Sequence, residues 1–273
     1  MDKKIIVFKY GGNAMIDDDL KKKVLKNICS LKDRDFHVVI VHGGGPFIKQ
    51  ALIEAEIESE FIDGHRKTSS EAFEYVEMAL KGKVNGKIVS MINALGYKAV
   101  GMSGKDGKTV VACKRIQEQM VNGAAQKVDL GQVGDVDLIN SELILLLLEN
   151  DFIPVITCLA DDKAGNGFNI NADMFAGHLA GALKASQFIV LTDVDGLLRE
   201  RYDPTSIIRD LTLGATNQLL EDEIIQGGMI PKIESCEIAI NKGAKEARII
   251  NGTVPEQILE VATDMQVGTV IHR

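Results

Sequence analysis

The 273-residue chain sets 31 lysines and arginines against 39 aspartates and glutamates, a formal charge of −8, so nucleic acid would meet a mostly repulsive surface. With 45% hydrophobic and 26% charged residues, it has the balance of a globular protein and not that of a disordered, collagen-like or disulfide-stapled one. The length suits one large α/β domain or two lobes of about 100–150 residues around a cleft. An anionic small molecule stays admissible where the site itself gathers cations and backbone N–H groups.

From the N-terminus, Met1-Asp2-Lys3-Lys4 runs straight into Ile5-Ile6-Val7-Phe8, a short apolar stretch where a secretory signal needs about 7–15 residues. The longest apolar run, Leu143 to Leu148, is far below the roughly 18–20 residues of a membrane span. A cytoplasmic protein with no membrane partner is expected. Cys29, Cys113, Cys158 and Cys236 form no C-x-x-C pair and have no histidine at zinc spacing, which predicts reduced packing residues and no metal centre.

Ile5–Phe8 is the first of several short apolar runs, followed by Val38–Val41, Ala99–Met102, Val155–Ile156, Phe188–Leu191 and Ala247–Ile250. Each predicts a buried strand. Helical spacing separates them: Leu20, Val24, Ile28 and Leu31 follow Asp17-Asp18-Asp19, acids that suit the positive end of a helix dipole. The alternation predicts a mostly parallel sheet covered on both faces, with ligands at the carboxyl ends of its strands. Lys108 to Val136 departs from it, with Val110-Val111, Val128 and Val133 broken by Gly123, Gly131 and Gly134. Antiparallel hairpins are expected there.

The carboxyl ends of the predicted strands carry glycine. Lys9-Tyr10-Gly11-Gly12 closes the first, putting a lysine beside residues that let backbone N–H groups approach an anion; an exposed lysine before a turn is the equal alternative. His42-Gly43-Gly44-Gly45-Pro46 closes the second. Pro46 suits a first helical turn, so these glycines precede free helix N–H groups that form an anion site. In Asn169-Ile170-Asn171-Ala172-Asp173, Asp173 either caps the next helix or serves a site, and Gly177 and Gly181 allow that helix to approach the sheet. Thr192-Asp193-Val194-Asp195-Gly196 follows the Phe188–Leu191 strand, at the sheet edge where nucleotides are held. Gly227-Gly228-Met229-Ile230-Pro231-Lys232 opens a further helix with an ammonium at its positive end, unfavourable by ~0.3–1 kcal/mol unless an anion binds.

Gly101 and Gly107-Lys108-Thr109 miss P-loop spacing by one residue, and G-x-G-x-x-G, H-E-x-x-H and G-x-S-x-G are absent. The sequence arguments for a P-loop NTPase, a dinucleotide dehydrogenase, a zinc protease and an α/β-hydrolase fall away.

Lys9 to Met15, His42 to Pro46, Asp63-Gly64-His65-Arg66, Gly82-Lys83-Val84-Asn85, Gly101 to Gly107, Asn169 to Asp173, Leu191 to Val194 and Gly228 to Lys232 stand in this order. Together they resemble the amino-acid kinase family over essentially the whole chain, most closely its branch that phosphorylates N-acetyl-L-glutamate in arginine biosynthesis. The resemblance implies a three-layer α/β/α sandwich with a mostly parallel central sheet, two lobes and a small β-hairpin region. Residues 1–185 then hold the acyl acceptor and residues 186–273 hold ATP with Mg²⁺. Lys9 and Lys232 are implied to stabilise the transferring phosphoryl group, with Asp173 positioning both. Gly44 and Gly45 contact the acceptor, and Arg66 and Asn169 bind its carboxylate. Gly11, Gly12, Asp193 and the stretch Ile224, Ile225 and Gln226 meet the nucleotide.

A carboxylate acceptor, with a reference pKa of about 4.3, is already ionised at neutral pH and needs no general base. It needs relief of repulsion from the triphosphate and cations aimed at the group in transit. The chain departs from the family pattern at His65-Arg66-Lys67-Thr68-Ser69, which adds positive character near the acceptor, and at Phe47, where glutamine is common. A kinase for acetylaminoadipate or carbamate, and a non-catalytic nucleotide sensor of the same fold, are the rival readings. Arginine-inhibited members carry a further N-terminal helix. With the first strand starting about four residues in, the resemblance implies an uninhibited homodimer.

Overall fold

Alternation along the first strand sets the layers. Ile5 and Val7 face one apolar core, while Ile6, Phe8 and Tyr10 face another, as the two-residue period of a strand requires. The computed structural model describes residues 3–62, 64–121, 124–200, 202–263 and 266–273; Asp63 and Gly123 of the sequence motifs lie outside the described residues. Its strands in chain order are β1 (Lys4–Tyr10), β2 (Phe36–His42), β3 (Phe61–Ile62), β4 (His65–Arg66), β5 (Ala99–Ser103), β6 (Val110–Val121) and β7 (Ala124–Ile139). There follow β8 (Ile153–Thr157), β9 (Leu159–Asp161), β10 (Gly167–Ile170), β11 (Gln187–Thr192), β12 (Asp210–Thr212), β13 (Ala247–Asn251) and β14 (Thr269–His272). The helices are α1 (Asp18–Ser30), α2 (Gly45–Glu54), α3 (Ser70–Glu77), α4 (Gly86–Ala94), α5 (Glu142–Glu149), α6 (Ala172–Ala182), α7 (Thr216–Glu221), α8 (Ile230–Lys242) and α9 (Glu256–Glu260). A π-helical segment, Met78–Asn85, joins α3 to α4.

The central sheet has the order β12-β14-β13-β11-β1-β2-β8-β5. From β13 to β5 the strands are parallel, and these are the runs that the sequence predicts as strands. β14 runs antiparallel to β13, with β12 parallel to β14 at the edge. One core lies under α2, α3, α5, α6 and α8, the other under α1, α4 and α9, giving the three α/β/α layers. The sheet spans both sides of residue 185, since β11 pairs with β1 and the Ser186 N–H donates to the Ile5 carbonyl at 2.8 Å. Among the described residues no helix is long and apolar enough to cross a membrane.

α1 starts as its acids predict, with Asp17 accepting the Leu20 N–H at 2.6 Å. The irregular region holds one long hairpin, β6–β7, which closes a small barrel with β9 and β10. Gly131, at φ 74°, admits the Thr68 carbonyl where a β-carbon would stand 2.1 Å from it.

Gly177 and Gly181 serve a different contact from the expected one. A β-carbon on Gly177 would lie 2.4 Å from the Ser235 carbonyl oxygen, and one on Gly181 2.4 Å from the Lys242 β-carbon. Both neighbours belong to α8, so these glycines let α6 press closely against α8. We expect Gly177→Ala to lower stability by about 1–3 kcal/mol through overpacking, seen as a lower urea midpoint. An unshifted midpoint would contradict the contact.

β2 ends in His42, which is fully buried, and burial pushes its imidazole down to about 4. His178 on α6 is likewise pushed down to about 4 by burial and by Lys242. The unfolded chain takes up these protons near pH 6.5 and the folded one only near 4. Their contribution is therefore whole above pH 6.5, declines as pH falls, and is spent by about pH 4. His42→Asn should flatten the pH dependence of urea stability between about pH 6.5 and 4, by ~3 kcal/mol at most. An unchanged profile would show that His42 is not held neutral.

Candidate active site

The ends of β1, β2 and β11 and the starts of α2, α6 and α8 meet at one edge of the sheet. β1 has β2 on one side and β11 on the other, the switch point at which an open α/β sheet forms its ligand crevice. Lys9, near the end of β1, is 8% exposed. Its Nζ stands 3.0 Å from Asp173 Oδ1, so the lysine turns inward, not out before a turn. A β-carbon on Gly11 would lie 3.4 Å from that Nζ. Gly12 takes φ 68°, a conformation that glycine adopts without strain.

Asp173 does not cap α6. The cap is Asn171, whose Oδ1 accepts the N–H groups of Asp173 and Met174 at 2.9 and 3.3 Å. This leaves the Asp173 carboxylate, one residue inside the helix, free to meet Lys9. The close packing of α6 on α8 brings in Lys232, in the first turn of α8 after Pro231, as predicted. Its Nζ donates to the Gly228 carbonyl at 2.9 Å. Burial holds the Lys232 ammonium below its usual range; the Asp173 charge opposes this, Lys9 adds to it, and Asp193 opposes it. The two lysines thus sense each other across one carboxylate.

Beside Lys232 opens a cavity of about 310 Å³. Its walls include Thr192, Asp193, Ile224, Gln226 and Gly228, from segments that the sequence singles out. Ile225 is not among them: it is 2% exposed and belongs to the core. Val194, Gly196, Arg199, Glu223 and Met229 also line the cavity, and no motif in the sequence marked Arg199 or Glu223. The loop after β11 is anchored by Asn251 Nδ2 donating to Asp195 at 2.9 Å.

On the other side, Gly44 precedes α2 with no side chain to cap it. A β-carbon there would lie 2.7 Å from Leu80, whereas Gly45 faces open space. Gly43 packs on Ala172, 3.1 Å from where its β-carbon would be, so this loop touches the start of α6. Asn169 sits on β10, paired with Leu159 and Val133 in the barrel, two residues before the α6 cap. Arg66, on β4, stacks over Phe61 at 4.5 Å and donates to Ser59 Oγ; burial lowers its guanidinium pKa. Phe61 and Ser59 thus hold it beside its own ribbon, away from the Lys9–Asp173 pair. The Lys67 charge is met by Glu60 at 2.9 Å, which offsets the positive character expected there. In the glycine-flanked turn, Lys105 bridges Glu77 at 2.6 Å and Asp161 at 3.3 Å. Asp106 accepts from the Ser103 backbone and from Lys81. Among the described residues no three of His, Cys, Asp and Glu converge to hold a metal ion.

A family model described as the amino acid kinase family matches residues 4–251. The chain is 45% identical to the acetylglutamate kinase of Methanococcus aeolicus, over 100% of this chain and 92% of that one. It is 43% identical to the acetylglutamate kinase of Methanocaldococcus jannaschii, over 99% and 91% respectively. Among solved structures it is similar to smu.665 from Streptococcus mutans, with a TM-score of 0.77, 29% identity and 98% of each chain covered. The matched span opens with the first residue of β1, closes with the last of β13 and takes in every parallel strand between them; the chain belongs to the amino acid kinase family.

Proposed function

We propose that the chain transfers the γ-phosphoryl group of ATP to the side-chain carboxylate of N-acetyl-L-glutamate, as a step of arginine biosynthesis. A carboxylate oxygen forms the new bond to phosphorus, the bond to the β-phosphate oxygen breaks, and ADP leaves with that electron pair. The observation that carries the reading is the pairing of Lys9 with Asp173 at 3.0 Å, with Lys232 in the same electrostatic field. Two ammoniums, set against Asp173 and the weaker pull of Asp193, stand where an anion meets an anion. No base is needed, because the acceptor is ionised at neutral pH.

In this reading Lys9 and Lys232 neutralise the phosphoryl group in transit, and Asp173 orients them without removing a proton. Gly44 and Gly45 flank the acceptor side with backbone N–H groups, that of Gly44 at the junction with the phosphoryl group, while Arg66 and Asn169 take the acceptor carboxylate. Gly11, Gly12, Asp193, Ile224 and Gln226 receive the nucleotide, and Ile225 supports their loop from the core. Mg²⁺ enters as part of the nucleotide substrate, bridging phosphates and keeping several waters. The assignment gives residues 1–185 to the acceptor and residues 186–273 to ATP, in a cytoplasmic homodimer.

Hydroxylamine trapping tests the reaction, since an acyl phosphate yields a hydroxamate. With ATP and Mg²⁺ we expect hydroxamate that depends on N-acetylglutamate and falls sharply for acetylaminoadipate, one carbon longer. The same yield without acceptor would defeat the reading. Lys232→Met should lower turnover at least about 100-fold, as loss of a preorganised transition-state donor does. Near-normal turnover would remove Lys232 from that role. Arg66→Lys should raise the acceptor KM about tenfold and leave kcat nearly unchanged, because the planar fork is lost while the phosphoryl-stabilising groups stay. An unaltered KM would place Arg66 outside the acceptor site.

A further inference from the structure

The peptide joining Gly43 to Gly44 has one polar group paired and the other free. The Gly43 carbonyl lies 2.8 Å from His42 Nδ1. Among the described residues the Gly44 N–H donates to no protein acceptor, although Gly44 is buried. Gly44 immediately precedes α2, where backbone N–H groups have no intrahelical acceptor and can meet an anion. The peptide is trans, so its carbonyl and N–H point in opposite directions. Whatever holds the carbonyl aims the N–H.

The imidazole that holds it is itself fixed. Asn85 Nδ2 lies 2.9 Å from His42 Nε2 and 2.9 Å from the Val155 carbonyl. Its two protons thus serve one acceptor each, and Nε2 must present a lone pair. The ring proton is then on Nδ1, where it donates to Gly43. Burial and the nearby Lys81 charge both favour this neutral ring. Asn85 has little room to turn, because a β-carbon on Gly101 would lie 2.1 Å from its Oδ1. It ends the π-helical segment, whose Leu80 and Val84 also pack beneath Gly44. Gly43 rests on Ala172, next to Asp173, so the free N–H lies in the loop beside the Lys9 cluster.

We propose that His42 and Asn85 are positioning residues for phosphoryl transfer, locking the Gly43–Gly44 peptide so that the Gly44 N–H donates to the phosphoryl group in transit. The proposal rests on the acyl-phosphate reading above. A flipped peptide would present a carbonyl oxygen to the same anion, so the lock acts on the rate of transfer more than on ground-state binding.

The test measures kcat, acceptor KM and the affinity for a fluorescent ATP analogue on the full chain, by the hydroxamate assay and by titration. His42→Leu, which removes the Nδ1 donor, should lower kcat at least about tenfold, with acceptor KM and nucleotide affinity nearly unchanged. His42→Asn, which places an amide N–H near the Nδ1 position, should recover about fivefold or more of that loss. Asn85→Ala frees the ring to take the other tautomer and should lower kcat by about threefold or more. A His42→Leu enzyme with near-normal kcat would overturn the proposal, and so would equal losses in the Leu and Asn variants. If His42→Leu loses nucleotide affinity through misfolding, Asn85→Ala decides: a normal kcat there overturns the proposal. A wild-type chain that forms no acyl phosphate would overturn the parent reading instead.

Discussion

A buried ammonium and a buried carboxylate 3.0 Å apart join the first strand to the helix that follows the barrel. Lys9 and Asp173 have side chains only 10% and 11% exposed, so neither can be left alone. Removing one partner of such a pair strands the other charge, at roughly 3–5 kcal/mol. The pair sets the position of α6 against β1. The glycine face of α6 then sets α8, and α8 carries Lys232. Three residues far apart in sequence are thereby held by one ion pair and one close helix contact.

The electrostatics follow from that packing. An ammonium in the first turn of α8 opposes the helix dipole, and burial already holds it below its usual range. Asp173 compensates only in part, since it also serves Lys9. In a chain with eight excess negative charges, this corner gathers two ammoniums that act on each other. An ammonium at the positive end of a helix is favoured only beside a negative charge, and Asp173 is the main one the fold supplies.

The parallel strands were readable because each is a short apolar run, and all but the edge strand β5 are buried along most of their length. The short strands β3, β4, β9, β10, β12 and β14 span two to four residues each, too few for a period to declare itself. Asn171 and Asp173 are both helix-start residues two apart, and which of them caps depends on where the backbone turns. Gly177 and Gly181 announce a close approach, but a glycine does not name its partner. In Ile224-Ile225 one side chain meets the cavity and its neighbour the core, a phase that no two-residue stretch can reveal. Lys67 looked like a free cation because Glu60 reaches it only through the fold of the ribbon. Lys9 and Lys232 stood out in the sequence through the glycines near them. The His42–Asn85 link, 43 residues apart, needed the tertiary structure.

β1 is laddered to a neighbour along both edges, whereas α8 is entered through Gly227, at φ 54°, and Gly228, where a β-carbon would touch nothing within 4 Å. The two ammoniums are therefore unequally tethered. Shifting Lys9 means unzipping two rows of hydrogen bonds; swinging the opening turn of α8 means rotating a few unhindered glycine torsions. Lys9 is the fixed ammonium of the two, and Lys232 the one whose position the backbone can adjust.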